Sequence, residues 1–344
     1  MTETPQVLIT GAGGPSGYSL LVGFEAAGHG WDLHAADIDP NAAGIYVVPE
    51  ARRAMLPRGD DPAFSQVLLD LCRERGIDVL IPTVDSELLV IAQRKDEFEA
   101  AGTQLVLASE ATLETCLDKW KLQQACEGHV RVPRCEVAEA DFDPASIELP
   151  AFVKPRSGSG SRGIALITEI SELERLPRDG TMLVQENLPG PEYSVDVLAD
   201  RDGRVLAVVP RERMKVDSGI AVTARTVHDS ELETFGRTVA ERIGLNGVAN
   251  VQAKGAVSGE PALLEVNARF PGTMPLTVAS GVDMPGLCVK EALGEPMPEG
   301  TLDFEPTAMV RLMREHYMDF SEIEAMRDLQ AETARAAEAV REGS

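Results

Sequence analysis

Val7-Leu8-Ile9-Thr10 is a short apolar run that leads directly into Gly11-Ala12-Gly13-Gly14-Pro15-Ser16-Gly17 and then into a helix-like stretch over residues 16–27. Such a succession leaves few folds open, because a buried strand, a turn almost without side chains and a helix folded back on the strand form one unit. The rhythm continues. Residues 32–36 read as a strand ending at Asp37, 64–75 as a helix, 77–81 as a strand, 87–101 as a helix and 104–107 as a strand. Strands without polar alternation are buried on both faces, and helical crossovers make them parallel. Residues 1–110 are therefore expected to form a Rossmann-like α/β domain.

In a dinucleotide fold the glycine turn would bring backbone N–H groups and a helix N-terminus to an anion, and Asp37 would hold a ribose. The spacing here is GxGxxxG rather than GxGxxG. A tight turn that binds no nicotinamide is the leading reading, since likeness of fold does not carry function.

The pattern then changes. A helix-like stretch over residues 110–127 and a Pro- and Asp-rich segment at 141–144 precede short strands at 151–154, 164–168, 182–186, 193–199, 205–210, 248–254 and 262–267. Helical patterns cover 230–243 and 286–293. This is α+β character. The Ala- and Glu-rich stretch 321–342 is helix-prone and is expected to be a surface or partner helix.

Chemistry concentrates in this second part. Phe152-Val153-Lys154-Pro155-Arg156-Ser157-Gly158-Ser159-Gly160-Ser161-Arg162-Gly163 delivers one lysine from a strand into a loop of small residues. Exposed N–H groups and hydroxyls there can close over phosphate oxygens, with Lys154 as a point charge; a plain flexible hairpin is the bland alternative. In a strand, residues two apart share a face. Glu265, Asn267 and Arg269 therefore share one face, as do Asn250, Gln252 and Lys254 on the preceding strand. Carboxylate and amide oxygens are hard ligands suited to magnesium, and an arginine beside them can neutralise a phosphate in transfer. A solvated polar sheet face is the competing reading. Between these segments, Gln185-Glu186-Asn187-Leu188-Pro189-Gly190-Pro191-Glu192 turns from one strand into the next. Its backbone can read an adenine edge and Glu192 can accept from ribose hydroxyls. Arg213, Lys215 and Arg225 flank an expected loop and suit a substrate carboxylate.

The formal net charge of −24 makes nucleic acid and anionic membranes unsuitable partners, though a local cationic pocket can still hold a nucleotide. Five cysteines without a CxxC pair point to reduced thiols and a cytoplasmic setting. The N-terminal residues do not read as a signal peptide, and no apolar run is long enough for a membrane span.

In this order, the segments resemble the ATP-grasp superfamily, particularly the branch like the large subunit of carbamoyl phosphate synthetase. The resemblance implies a Rossmann-like pre-ATP-grasp domain at 1–110, a two-lobed ATP-grasp domain at 111–315 (small lobe about 111–186, large lobe about 187–315) and a helical tail at 316–344. It implies ATP and Mg2+, or Mn2+ in its place, as cofactors. Lys119, Lys154, Ser157, Gly158, Ser159, Gly160, Ser161 and Gly163 would approach the phosphates. Glu186, Asn187 and Leu188 would flank the base, with Glu192 on the ribose. Gln252, Glu265 and Asn267 would hold the metal, and Arg269, Lys154 and Arg225 would be catalytic. The implied reaction joins a small-molecule carboxylate to an amine through an acyl phosphate, releasing ADP and phosphate. A homodimer is left open. A single ATP-grasp unit departs from carbamoyl phosphate synthetase, which disfavours that reaction. A related phosphotransferase, a nucleotide-binding protein without turnover, and an oxidoreductase using the glycine turn remain as alternatives.

Overall fold

The computed structural model describes residues 4–158 and 163–343. Its first part is β1 (Gln6–Ile9), α1 (Pro15–Ala27), β2 (Asp32–Asp37), β3 (Arg53–Met55), α2 (Phe64–Arg75), β4 (Val79–Ile81), α3 (Asp85–Ala92), α4 (Lys95–Ala100) and β5 (Gln104–Leu105). These strands form a parallel sheet in the order β3-β2-β1-β4-β5, the doubly wound arrangement read from the sequence. Residues 87–101 were expected as one helix. The chain instead breaks at Arg94, whose guanidinium turns aside to Glu97, Ser65 and Gln66.

Two helices follow, α5 (Glu110–Cys116) and α6 (Lys119–Cys126). The expected single helix over 110–127 is interrupted because Asp118 caps α6, accepting from the N–H groups of Trp120 and Lys121. Such a cap requires non-helical backbone at that residue. Leu113, Cys116, Leu122 and Cys126 of these helices share a core with the large sheet described below.

The small lobe is an antiparallel sheet of β6 (Cys135–Val137), β7 (Ala151–Pro155), β8 (Ala165–Ile167) and β9 (Met182–Glu186), in the order β6-β9-β7-β8, with the short α7 (Ile170–Leu173). It has its own core around Val153, Leu173 and Val184.

The large sheet is built from β10 (Glu192–Ala199), β11 (Val205–Asp217), β12 (Ile220–Thr226), β13 (Gly247–Gly255), β14 (Pro261–Asn267) and β15 (Ala308–Val310), in the order β14-β13-β10-β11-β12-β15. Helix α8 (Ser230–Arg242) covers one face, while α9 (Met274–Ala279) and α10 (Met284–Ala292) lie toward the first domain. The basic segment after Pro210, expected to flank a loop, is the continuation of β11. A two-residue turn at Ser218 (φ 49°) and Gly219 (φ 79°) closes it onto β12. Positive φ at both turn residues matches the strand twist of a tight hairpin.

Helix α11 (Phe320–Gly343) is not a free surface helix. It returns to the first domain, where Met326 enters the core, Arg53 pairs with Glu322 at 2.8 Å and Arg341 with Asp61 at 2.5 Å. That core also joins Val7 and Ile9 to Leu198, Leu206 and Val209 of the large sheet, so the two units are packed as one body. Among the described residues, no helix is long and apolar enough to cross a membrane.

Candidate active site

Between the small lobe and the large sheet lies a cavity of about 650 Å³. One wall is the β7–β9 face, carrying Phe152, Lys154 and Gln185, followed by Leu188 and Glu192. The other is the face of β10, β13 and β14 carrying Ser194, Asn250, Gln252, Lys254, Glu265 and Asn267, with Arg269 just beyond. Pro15 and Ser16, at the start of α1, close one end beside Gly272 and Thr273.

The alternation expected from the sequence positions the polar row. Gln252 pairs in register with Glu265, and Asn250 with Asn267, so side chains two apart meet across β13 and β14. Asn267 Nδ2 lies 3.4 Å from Glu265 Oε1. Lys154 is 7% exposed and donates to the Leu264 carbonyl at 3.2 Å. Burial pushes its ammonium down to about 8, against the opposing pull of Cys135 and Glu265. Lys119 is buried, donates to the Gly158 carbonyl at 2.7 Å, and stands 4.0 Å from Glu265. Arg156 and Asp118 form a bidentate pair at 2.7–2.9 Å, and Asp118 bridges Ser157 through the backbone. The start of α6 is thus stitched to the base of the glycine loop. Gly158 (φ 121°) and Gly163 (φ 72°) adopt backbone that disfavours other residues. Ser159, Gly160 and Ser161 lie outside the described residues.

Several expected residues do not line this cavity. Lys119 and Gly158 line a smaller one of about 40 Å³ beside Glu265 and Asn267. Ser157 and Gly163 lie at the ends of the glycine segment, Lys215 is exposed, and Glu186, Asn187 and Arg225 stand elsewhere. Glu186 faces away from the cavity, because β9 alternates and Gln185 takes the inward position. The Glu186 carboxylate is held by Arg131 at 2.5 Å and Arg134 at 3.4 Å. Asn187 is half-buried and does not line the cavity. Arg225 pairs in register with Glu212, bonds it at 2.7 Å, and so lies on the α8 side of the sheet. Arg213, one residue out of phase with Glu212, lines the cavity with its side chain 7% exposed and pairs with Glu192 at 3.0 Å. Gln185 was missed although strict alternation from Phe152 and Lys154 would have selected it once the register was known.

Beneath the floor, Asp196 and Arg211 are completely buried and paired at 2.6 Å. Asp196 also accepts from Asn250 at 2.7 Å and Thr277 at 2.5 Å, while Arg211 donates to Thr273. This network fixes the floor from which Asn250 and Thr273 project.

The N-terminal glycine turn is closed upon itself. The Ala12 N–H donates to Ala36 O, Gly13 N–H to the Asp37 carboxylate at 2.8 Å, and Gly14 N–H to Gly11 O. A side chain at Gly44 would collide with the Ala12 carbonyl. An arriving anion would find these donors committed and a carboxylate already there. All five cysteines are free, and burial pushes Cys72 up to about 12 and Cys126 and Cys135 to about 11, which excludes ready thiolates at these three.

Among the described residues, no group of three or more His, Cys, Asp or Glu gathers as a metal cage. Gln252, Glu265 and Asn267 supply one carboxylate and two amides. Such a sparse oxygen set fits Mg2+ that takes its remaining ligands from phosphates and water.

A two-lobed cleft, behind a doubly wound domain and lined by a lysine, a mixed acid–amide row and an arginine, defines a nucleotide-dependent class of enzymes. The chain belongs to the ATP-grasp superfamily of ligases. A family model described as ATP-grasp in the biosynthetic pathway with Ter operon matches residues 178–315, and one described as PylC-like, N-terminal domain, matches residues 7–106. The D-alanine–D-alanine ligase of Anaeromyxobacter sp. (strain K) is 30% identical over 269 residues, covering 64% of this chain and 86% of that one. The carbamoyl phosphate synthase large chain of Rhodopirellula baltica is 24% identical over 306 residues, covering 77% of this chain and 28% of that one. The match thus spans little more than a quarter of that relative's length. The biotin carboxylase domain of Hydrogenobacter thermophilus 2-oxoglutarate carboxylase, solved with MgADP, ADP and bicarbonate, superposes with a TM-score of 0.70 at 16% identity, covering 89% of this chain and 73% of that one.

Proposed function

We propose that the chain is an ATP-dependent carboxylate–amine ligase that activates a carboxylate as an acyl phosphate and releases ADP and phosphate. The observation that carries this reading is the opposition, across one cavity, of Lys154 to the Gln252–Glu265–Asn267 row with Arg269 at its end. Adenine would lie between Leu188 and the β7–β9 wall, with the Gln185 amide in the place expected of Glu186. Glu192 would accept from the ribose, and its pairing with Arg213 fixes the carboxylate for that contact. Lys154 and Lys119 would bind phosphate oxygens.

Gln252, Glu265 and Asn267 would hold Mg2+, which when bound with ATP supplies charge neutralisation at the phosphates. Arg269 would stabilise charge on the γ-phosphoryl group as it passes to a carboxylate oxygen. The amine would then attack the acyl carbon, phosphate would leave, and an amide would result. Substrates would enter where Arg213, Ser218, Gly219 and Ala221 meet the start of α1, with Arg213 in place of Arg225 as the guanidinium nearest a substrate carboxylate.

The test is ATP turnover against a panel of carboxylic acids and amines, with hydroxylamine as a trap. ADP release with hydroxamate formation is expected. AMP release would replace the acyl phosphate by an adenylate. Nicotinamide reduction that survives Lys154→Ala would replace the ligase by an oxidoreductase.

A further inference from the structure

Arg269 is gripped from outside its own lobe. Asp85, the first residue of α3 in the Rossmann-like domain, accepts from Arg269 Nε at 2.6 Å and from Nη2 at 3.3 Å. The two side chains are 17% and 18% exposed, so the pair is largely withdrawn from water. Two contacts from one carboxylate fix the plane of a guanidinium as well as its charge. Nη2 also lies 3.4 Å from Asn267 Oδ1, which links the pair to the acid–amide row. Asp85, Lys119, Gly158, Glu265 and Asn267 together line a small cavity of about 40 Å³.

The backbone after Arg269 is held by the same domain. Ser19 Oγ donates to the Gly272 carbonyl at 2.8 Å, and a Cβ on Gly272 would stand 2.6 Å from Pro15 Cβ. Arg269 thus sits between two attachments to the first domain, one on its side chain and one on its following loop.

We propose that Asp85 is a positioning residue for phosphoryl transfer, presetting the Arg269 guanidinium so that the first domain governs the chemical step. This rests on the ligase reading. A guanidinium aligned in advance loses nothing to reorganisation when charge develops on the phosphoryl group.

The test needs no knowledge of the natural substrate. Binding of MgADP alone, and of MgADP with aluminium fluoride as a mimic of the phosphoryl group in transfer, is measured by calorimetry. Asp85→Asn is expected to weaken the mimic complex by about tenfold to a hundredfold, with MgADP alone changed less than about twofold. Asp85→Glu should recover part of the loss. In an Arg269→Ala background, Asp85→Asn should have no further effect, as required of a residue acting through Arg269. An unchanged mimic affinity, equal weakening of MgADP alone, or an equal loss in both backgrounds would each overturn the inference while leaving the ligase reading intact. Absence of MgADP binding by the wild-type chain would overturn the ligase reading and this inference together.

Discussion

Lys154 of the small lobe reaches across to the large sheet and donates to Leu264 O at 3.2 Å. The carbonyl it meets belongs to the residue before Glu265, so the two lobes are joined where the phosphates are expected.

Removing that ammonium should separate stability from binding. Burial already disfavours its charge, holding it near 8. Lys154→Met keeps most of the stem and deletes a desolvated charge, a change that is often neutral or stabilising. The melting temperature should stay level or rise, while calorimetry should show MgADP affinity reduced by about tenfold or more, the loss of one charge-assisted contact.

Glu265 is the one carboxylate in the proposed metal row. Glu265→Gln should remove the magnesium-dependent part of nucleotide affinity and abolish turnover, with circular dichroism unchanged. Comparing ADP binding with and without Mg2+ checks this, and full turnover in the variant would remove the metal assignment.

Arg213 and Arg225 lie on adjacent strands but opposite faces. Arg225→Ala breaks an exposed pair with Glu212 and should alter stability by less than about 0.5 kcal/mol and turnover by less than about twofold. Arg213→Ala leaves Glu192 without its partner inside the cleft and should raise substrate or ATP KM about tenfold. Steady-state kinetics on the two variants distinguishes the faces.

Glu87 is buried beneath the first domain's strand ends and accepts from Thr10 Oγ1. Burial, opposed by that hydrogen bond, pushes its carboxyl up from 4.5 to about 7. The folded chain keeps this proton over a range in which the unfolded chain has released it. Its contribution to stability is therefore full below about pH 4.5, falls as pH rises toward 7, and levels off above. Glu87→Gln should remove that slope, so its advantage over wild type should grow across this window to about 3 kcal/mol at pH 8. Urea unfolding at several pH values measures it; a constant difference would contradict the assignment.

Arg211→Ala should be severe. It strands Asp196, which is completely buried and also serves Asn250 and Thr277. Leaving one partner of a buried pair uncompensated costs about 3–5 kcal/mol. A much smaller loss in urea unfolding would mean that water reaches Asp196.

Much of this was present in the chain alone. The parallel strands of the first domain, the lysine followed by a glycine loop, and the inward row of Gln252, Glu265 and Asn267 follow from periodicity, a property of neighbouring residues that needs no knowledge of the rest of the fold. The imperfect glycine turn was also readable as a turn, and its closure by Asp37 is the reason. Tertiary structure decided the choices that depend on register and on distant packing. A single residue separates Gln185 from Glu186, and Arg213 from its neighbour Glu212, yet strand pairing sends each to the opposite face. Asp85 meets Arg269 across 184 positions, and α11 returns to the first domain, because both contacts are stabilised only when separate elements are already packed together.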